Sequence, residues 1–143
     1  MASRTAARWK CPTCGREFAK SKQYHSCQVH TVDEHFRGKD PERRQTYDVL
    51  VKRLREFGPV RVDAVKSMIH FFASKSCFGG VTVKKNHLRM GFVCDTEIKD
   101  ERIMTTQRIG PNRVAHSVKL SSSTDVDKRL ITLVKRAYTL QSR

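Results

Sequence analysis

Two of the five cysteines form a Cys-x-x-Cys motif near the N-terminus, in the segment from Trp9 to Phe18. Thiolates two residues apart in a tight turn can bind one tetrahedral zinc ion, and Gly15 permits the left-handed backbone that such turns often need. A disulfide framework is disfavoured because the cysteine count is odd and the first residues lack the apolar stretch of a secretory signal. We therefore predict that Cys11 and Cys14 bind zinc.

The second pair of zinc ligands must come from further along the chain, where the candidates are His25, Cys27, His30 and His35. His25 and His30 have an acceptable spacing for a finger, and His25 and Cys27 form a compact pair across one residue. The expected ligands are Cys11, Cys14, His25 and Cys27, with His30 as the first substitute. Four protein ligands leave no open coordination site, so we expect zinc to be a structural cofactor.

The chain carries 29 basic and 14 acidic residues, a formal net charge of +15. Residues 1–40 contain eight basic and four acidic residues, and residues 41–143 contain 21 and ten. The positive charge is therefore spread along the chain, which suits contact with phosphate groups. We expect nucleic acid, bound without sequence specificity, as the partner. The alternative is a module that binds an anionic small molecule or a protein, with a purely structural zinc site.

The carboxylates of the body have no recognised metal-binding or catalytic spacing; they are Asp63, Asp95, Glu97, Asp100 and Glu101. Metal-dependent hydrolysis needs clustered carboxylates, so we expect a binding protein rather than an enzyme. No apolar run approaches the roughly 20 residues that a membrane span requires. These patterns predict a cytoplasmic protein with no membrane partner.

Two amphipathic helices are predicted. The first begins at Asp40-Pro41, a good N-cap followed by a preorganised first position, and ends before Gly58-Pro59. The second begins at a capping-box-like Thr124-x-x-Asp127 and runs to Tyr138. Each presents one apolar stripe, so both are expected to cover a sheet.

The stretches 81–83 and 88–94 look like antiparallel strands around a turn, and a further pair is predicted to flank Gly110-Pro111-Asn112. The predicted fold class is α+β. A small zinc finger in domain 1–36 is followed by domain 37–143, with four or five antiparallel strands covered by two helices. Cys94 alternates with apolar residues and is expected in the core, whereas Cys77 fits either the core or an exposed thiol.

The second face of this sheet is expected to be open to water or to a ligand. The candidate anion-binding or nucleic-acid-binding side chains on or beside the strands are Lys66, Arg89, Arg113 and His116. The alternative is a plain surface charge at each position, and for His116 a hydrogen-bonded histidine within the sheet.

A series of short motifs also resembles a known family. The motifs are Trp9 to Phe18, His25-Ser26-Cys27, Val32 to Lys39, Gly58-Pro59-Val60, Lys66 to Phe71 and Ala137-Tyr138. In this order they resemble the bacterial family known as domain of unknown function 5655, preceded by a zinc-finger-like module. The resemblance covers nearly the whole chain and implies no particular activity.

Overall fold

The structure, a computed structural model, describes residues 9–12, 17–18 and 30–142 of the 143-residue chain. The chain divides into two compact units, residues 1–30 and 31–143. In the first unit, strands β1 (Trp9–Lys10) and β2 (Glu17–Phe18) pair antiparallel, with the Trp9 and Phe18 rings 6.0 Å apart. Cys11 follows β1 directly and is buried.

The second unit contains helices α1 (Val32–Phe36), α2 (Pro41–Arg55) and α3 (Lys128–Gln141). The predicted start of α2 is confirmed, because the Asp40 carboxylate accepts a hydrogen bond from the Glu42 amide at 2.9 Å. Helix α3 begins later than predicted. Its N-cap is Asp127, which accepts from the Leu130 amide, while Thr124 lies in a 3₁₀ turn that Ser122 and Asp125 cap.

Helix α1 was not predicted. The Phe36 ring lies 5.1 Å from the ring of Tyr47 in α2, and the His35 Nε2 atom lies 2.7 Å from the Val65 carbonyl oxygen. Residues 32–36 thus lie in the second unit, although the sequence suggested a boundary after residue 36.

The sheet of the second unit is antiparallel and has six strands in the order β3-β4-β5-β6-β8-β7. The strands are β3 (Arg61–Ala64), β4 (Ile69–Ala73), β5 (Ser76–Val83), β6 (Leu88–Cys94), β7 (Ile103–Gly110) and β8 (Arg113–Leu120). The α+β class and the antiparallel sheet are confirmed, but four or five strands was too few. The inward and outward residues of β4 alternate regularly, but His70 and Phe72 on one face are aromatic like Phe71 on the other, so the segment has no apolar–polar alternation in its sequence, which hid β4 and its partner β3.

Side chains alternate between two faces of this sheet. The helix-covered face contains the core, and its largest fully buried members on the strands are Ile69, Phe71, Phe78, Leu88, Met90, Phe92, His116 and Leu120. Helix α3 packs against β4, β5 and β6, and α2 packs against β6. Cys94 is buried on this face, which confirms its predicted place in the core. The opposite surface, the open face, has no helix on it among the residues that the structure describes.

One buried cation ties α2 to distant parts of the second unit. The Arg43 Nη1 atom donates to the carbonyl oxygens of Asn86 at 2.6 Å and Ser121 at 3.0 Å, and Nη2 donates to the Glu42 carboxylate at 2.9 Å. Arg43 therefore joins the first turn of α2 to the turn between β5 and β6 and to the end of β8. Within the described ranges, no helix is long and apolar enough to cross a membrane.

Candidate nucleic-acid interface

Four cations lie on the open face: Arg61 on β3, Arg89 on β6, and Arg113 and Lys119 on β8. The antiparallel register pairs Arg89 with Lys119 across β6 and β8, so both side chains rise from the same face. All four residues are exposed. None of them has a carboxylate within ion-pair distance in the part of the chain that the structure describes.

Several cations elsewhere in the second unit are paired with carboxylates. The pairs are Arg44 with Asp33, Arg102 with Asp127, Arg129 with Asp100 and Arg136 with Asp95, at 2.6 to 2.9 Å. Such pairs neutralise part of the positive charge around the helices. The open-face cations keep their full charge for an external anion.

Two of the open-face guanidinium groups are held against the sheet. The Arg61 Cζ atom lies 4.1 Å from the centroid of the Phe72 ring, a cation–π contact between β3 and β4. Arg89 reaches from β6 across β8, and its Nη2 atom lies 3.3 Å from Thr105 Oγ1 on β7 and 3.5 Å from Ser117 Oγ. The sheet thus positions both groups over its surface.

A thiol and an imidazole also meet on the open face. The Cys77 Sγ atom lies 3.6 Å from His70 Nδ1 and donates to the Gly79 carbonyl oxygen at 3.2 Å. Burial raises the pKa of the Cys77 thiol, against the opposing effect of Arg113 and Arg61, and burial lowers the pKa of His70. At neutral pH the pair is therefore a protonated thiol beside a neutral ring, which is a poor nucleophile.

The structure brings together two of the four anion-binding residues predicted from the sequence. Arg89 and Arg113 share the open face, whereas Lys66 is exposed in the turn between β3 and β4. His116 lies on the helix-covered face, opposite Phe92 in the register, with the two rings stacked 5.3 Å apart. It therefore does not join the two arginines.

His116 has a structural hydrogen bond. Its Nε2 atom accepts from the Ile98 amide at 3.0 Å, so the ring proton is on Nδ1, which is buried without a partner among the described residues. Burial lowers the pKa of His116, and the negative charge of Glu97 acts in the opposite direction. The neutral ring is the form that holds Ile98.

Arg61 and Lys119 were not predicted as members of this surface. The alternation of β8 contained the signal for Lys119, because a period of two places residues 113, 115, 117 and 119 on one face and His116 on the other. Arg61 was hidden because β3 was not recognised as a strand.

Part of the predicted zinc site can be located. Cys11 is buried beside the β1–β2 pair, and a thiolate there has the donor chemistry that zinc prefers. Cys14, His25 and Cys27 lie outside the described residues. Over residues 9–12, 17–18 and 30–142, no three His, Cys, Asp or Glu side chains are grouped closely enough to hold a metal ion.

A comparison with known families identifies the second unit. The model of the family described as domain of unknown function (DUF5655) matches residues 32–141, from α1 to the last residue of α3. The protein belongs to the DUF5655 family. The six-stranded sheet and its three helices are thus the DUF5655 domain of this chain. The match begins after the segment that contains Cys11, Cys14 and Cys27. No curated protein and no solved structure matches the chain.

Proposed function

We propose that this DUF5655 protein binds nucleic acid through the open face of its sheet, without sequence specificity. The observation that carries the proposal is the set of four exposed cations without carboxylate partners, defined above. A polyanion that meets such a surface releases its counterions, which favours binding at low salt. Asp63 also lies on this face, where it pairs with His70 in the register of β3 and β4.

Charge reversal on the open face tests this proposal. Arg113→Glu with Lys119→Glu changes two side chains that make no hydrogen bond or ion pair within the described residues. We expect the affinity for a random oligonucleotide to fall at least about tenfold and the slope of log K against log salt to decrease in magnitude by about two. Fluorescence anisotropy at several salt concentrations measures both quantities.

The matched control is Lys52→Glu with Lys135→Glu, two exposed lysines on α2 and α3 that give the same change in net charge. We expect this variant to bind within about threefold of the wild type. Equal losses in the two variants would show that net charge rather than the open face governs binding. If the wild type bound inorganic phosphate but no polynucleotide, the anionic small-molecule alternative would replace this proposal.

The same proposal assigns a structural zinc ion to the N-terminal unit, held by Cys11 and Cys14 with His25 and Cys27. The cysteine spacing and the buried position of Cys11 support it. A closed site would stabilise a segment too short to fold alone, so zinc would contribute folding energy and no chemistry.

Metal analysis of the purified protein tests the zinc site. We expect about one zinc ion per chain, lost in Cys11→Ser but retained in the control Cys77→Ser, because Cys77 lies in the second unit. Parallel His25→Ala and His30→Ala variants identify the histidine ligand. Unchanged metal content in Cys11→Ser would refute the site.

A further inference from the structure

We infer that the open face prefers single-stranded nucleic acid, with unpaired bases stacked on the guanidinium groups of Arg61 and Arg89. This inference rests on the proposed nucleic-acid binding and specifies its substrate. Proteins that bind single strands combine a basic surface with flat groups on which bases stack, and arginine is one such group.

The first platform is the Arg61–Phe72 pair. The guanidinium lies 4.1 Å from the ring centroid, so one side of it is covered by an aromatic ring and the other side is available to a base. Phe72 is half-buried and anchors the pair within the sheet, whereas Arg61 is exposed. A base that stacks on the Arg61 guanidinium would extend the stack that Arg61 forms with the Phe72 ring.

The second platform is Arg89. Because β8 lies between β6 and β7, a side chain that starts on β6 and reaches Thr105 on β7 must pass over β8. The hydroxyl groups of Thr105 and Ser117 lie 2.5 Å apart and both meet the same Nη2 atom. These contacts restrict the guanidinium to the surface of the sheet, which reduces the entropy lost when a base stacks on it.

The separation of the platforms suits an extended strand. Phe72 is on β4 and Ser117 is on β8, three strands apart, which gives at least roughly 14 Å at about 4.8 Å per strand, because the two residues also lie at different levels along their strands. Between them, a Cβ atom added to Gly91 would have only the His116 carbonyl oxygen within 4 Å, at 3.6 Å. The surface is therefore low at Gly91, beside Gly80, which the Met68 side chain covers, and Arg113 and Lys119 are available for phosphates.

A duplex cannot use these platforms without distortion, because its bases are already stacked and paired, and unstacking costs a few kcal/mol per base. It could engage only the charge of the open face. The two polymers should therefore respond differently when the planar groups are removed and the charges are kept.

Arginine-to-lysine substitutions remove the planar guanidinium group and keep the positive charge. We expect Arg61→Lys and Arg89→Lys each to weaken binding of a single-stranded oligonucleotide by about fivefold or more, and to change binding of the matching duplex by less than about twofold. The control is Arg55→Lys, an exposed arginine on α2, which should leave both affinities unchanged. A 2-aminopurine base in the oligonucleotide reports stacking directly, and its quenching on binding should diminish in the two open-face variants.

The outcomes separate this inference from the proposed function. If the wild type bound duplex and single strand equally, or if the lysine variants bound both polymers as the wild type does, the stacking platforms would be refuted while binding through charge would stand. If the wild type bound neither polymer, the proposed function itself would fail. Thermal unfolding of each variant verifies that the sheet is intact.

Discussion

The two faces of the sheet differ in composition, because the same strands place buried apolar side chains on one face and exposed basic side chains on the other. On β6 and β8 the residues that face the helices include Met90, Phe92 and Val118, all buried, whereas their neighbours on the open face include Arg89 and Lys119, both exposed. Because alternate residues of a strand point to opposite sides, the positions that build the core are different from the positions that carry the open-face charge. Buried apolar side chains are concentrated on one face, and the other face carries unpaired positive charge, including the like-charged Arg89 and Lys119 that face each other across β6 and β8.

The strongest test of this comparison uses two adjacent phenylalanines of β4. Phe71 is fully buried between Tyr47 and Phe78, whereas Phe72 is half-buried on the open face. We expect Phe71→Ala to lower the free energy of unfolding by about 3–5 kcal/mol, because it leaves a cavity, and Phe72→Ala to lower it by less than about 1 kcal/mol. Urea unfolding measures both free energies, and similar losses in the two variants would contradict the conclusion that the helix-covered face provides most of the stability.

A smaller effect is expected from protonation on the helix-covered face. Since burial lowers the pKa of His116 in the folded state, the unfolded chain takes up this proton first as the pH falls below the ordinary value of about 6.5. Stability is therefore complete above that pH and decreases as the pH falls towards the folded pKa. The protonated ring also has no lone pair to accept the Ile98 amide.

The variant His116→Gln isolates this contribution, because its amide oxygen can still accept from Ile98 and does not titrate. We expect the free energy of unfolding to fall less steeply between pH 7 and pH 5 in the variant than in the wild type. Identical slopes would mean that His116 is not responsible for the acid sensitivity.

Much of the fold was predictable from local signals. Asp40 and Pro41 marked the start of α2, and the alternating stretches around residues 84–87 and 110–112 gave two hairpins that the structure contains. These features depend on residues close together in sequence. The missed elements, α1 and the β3–β4 pair, are short, and β4 has aromatic side chains on both faces, so periodicity alone did not reveal them.

The candidate site was predictable only in part, because a surface is assembled from distant strands. Arg89 and Arg113 were identified, but their neighbours Arg61 and Lys119 required the strand order β3-β4-β5-β6-β8-β7. The arrangement of Arg89 over Ser117 depends on the pairing of β6 with β8, strands that are not consecutive in the chain, which no local pattern specifies. His116 was grouped with the basic residues by charge type, although its position in the alternation placed it with the core.

Arg43 has a consequence for how the second unit opens. It links the start of α2 to residues 43 and 78 positions away, and a buried guanidinium that loses one carbonyl partner has no water to replace it. Fraying of the turn between β5 and β6 therefore carries the penalty of an unsatisfied cation unless the first turn of α2 detaches at the same time. We therefore expect this corner of the domain to open as one cooperative unit, with amide hydrogens that exchange together rather than one turn at a time.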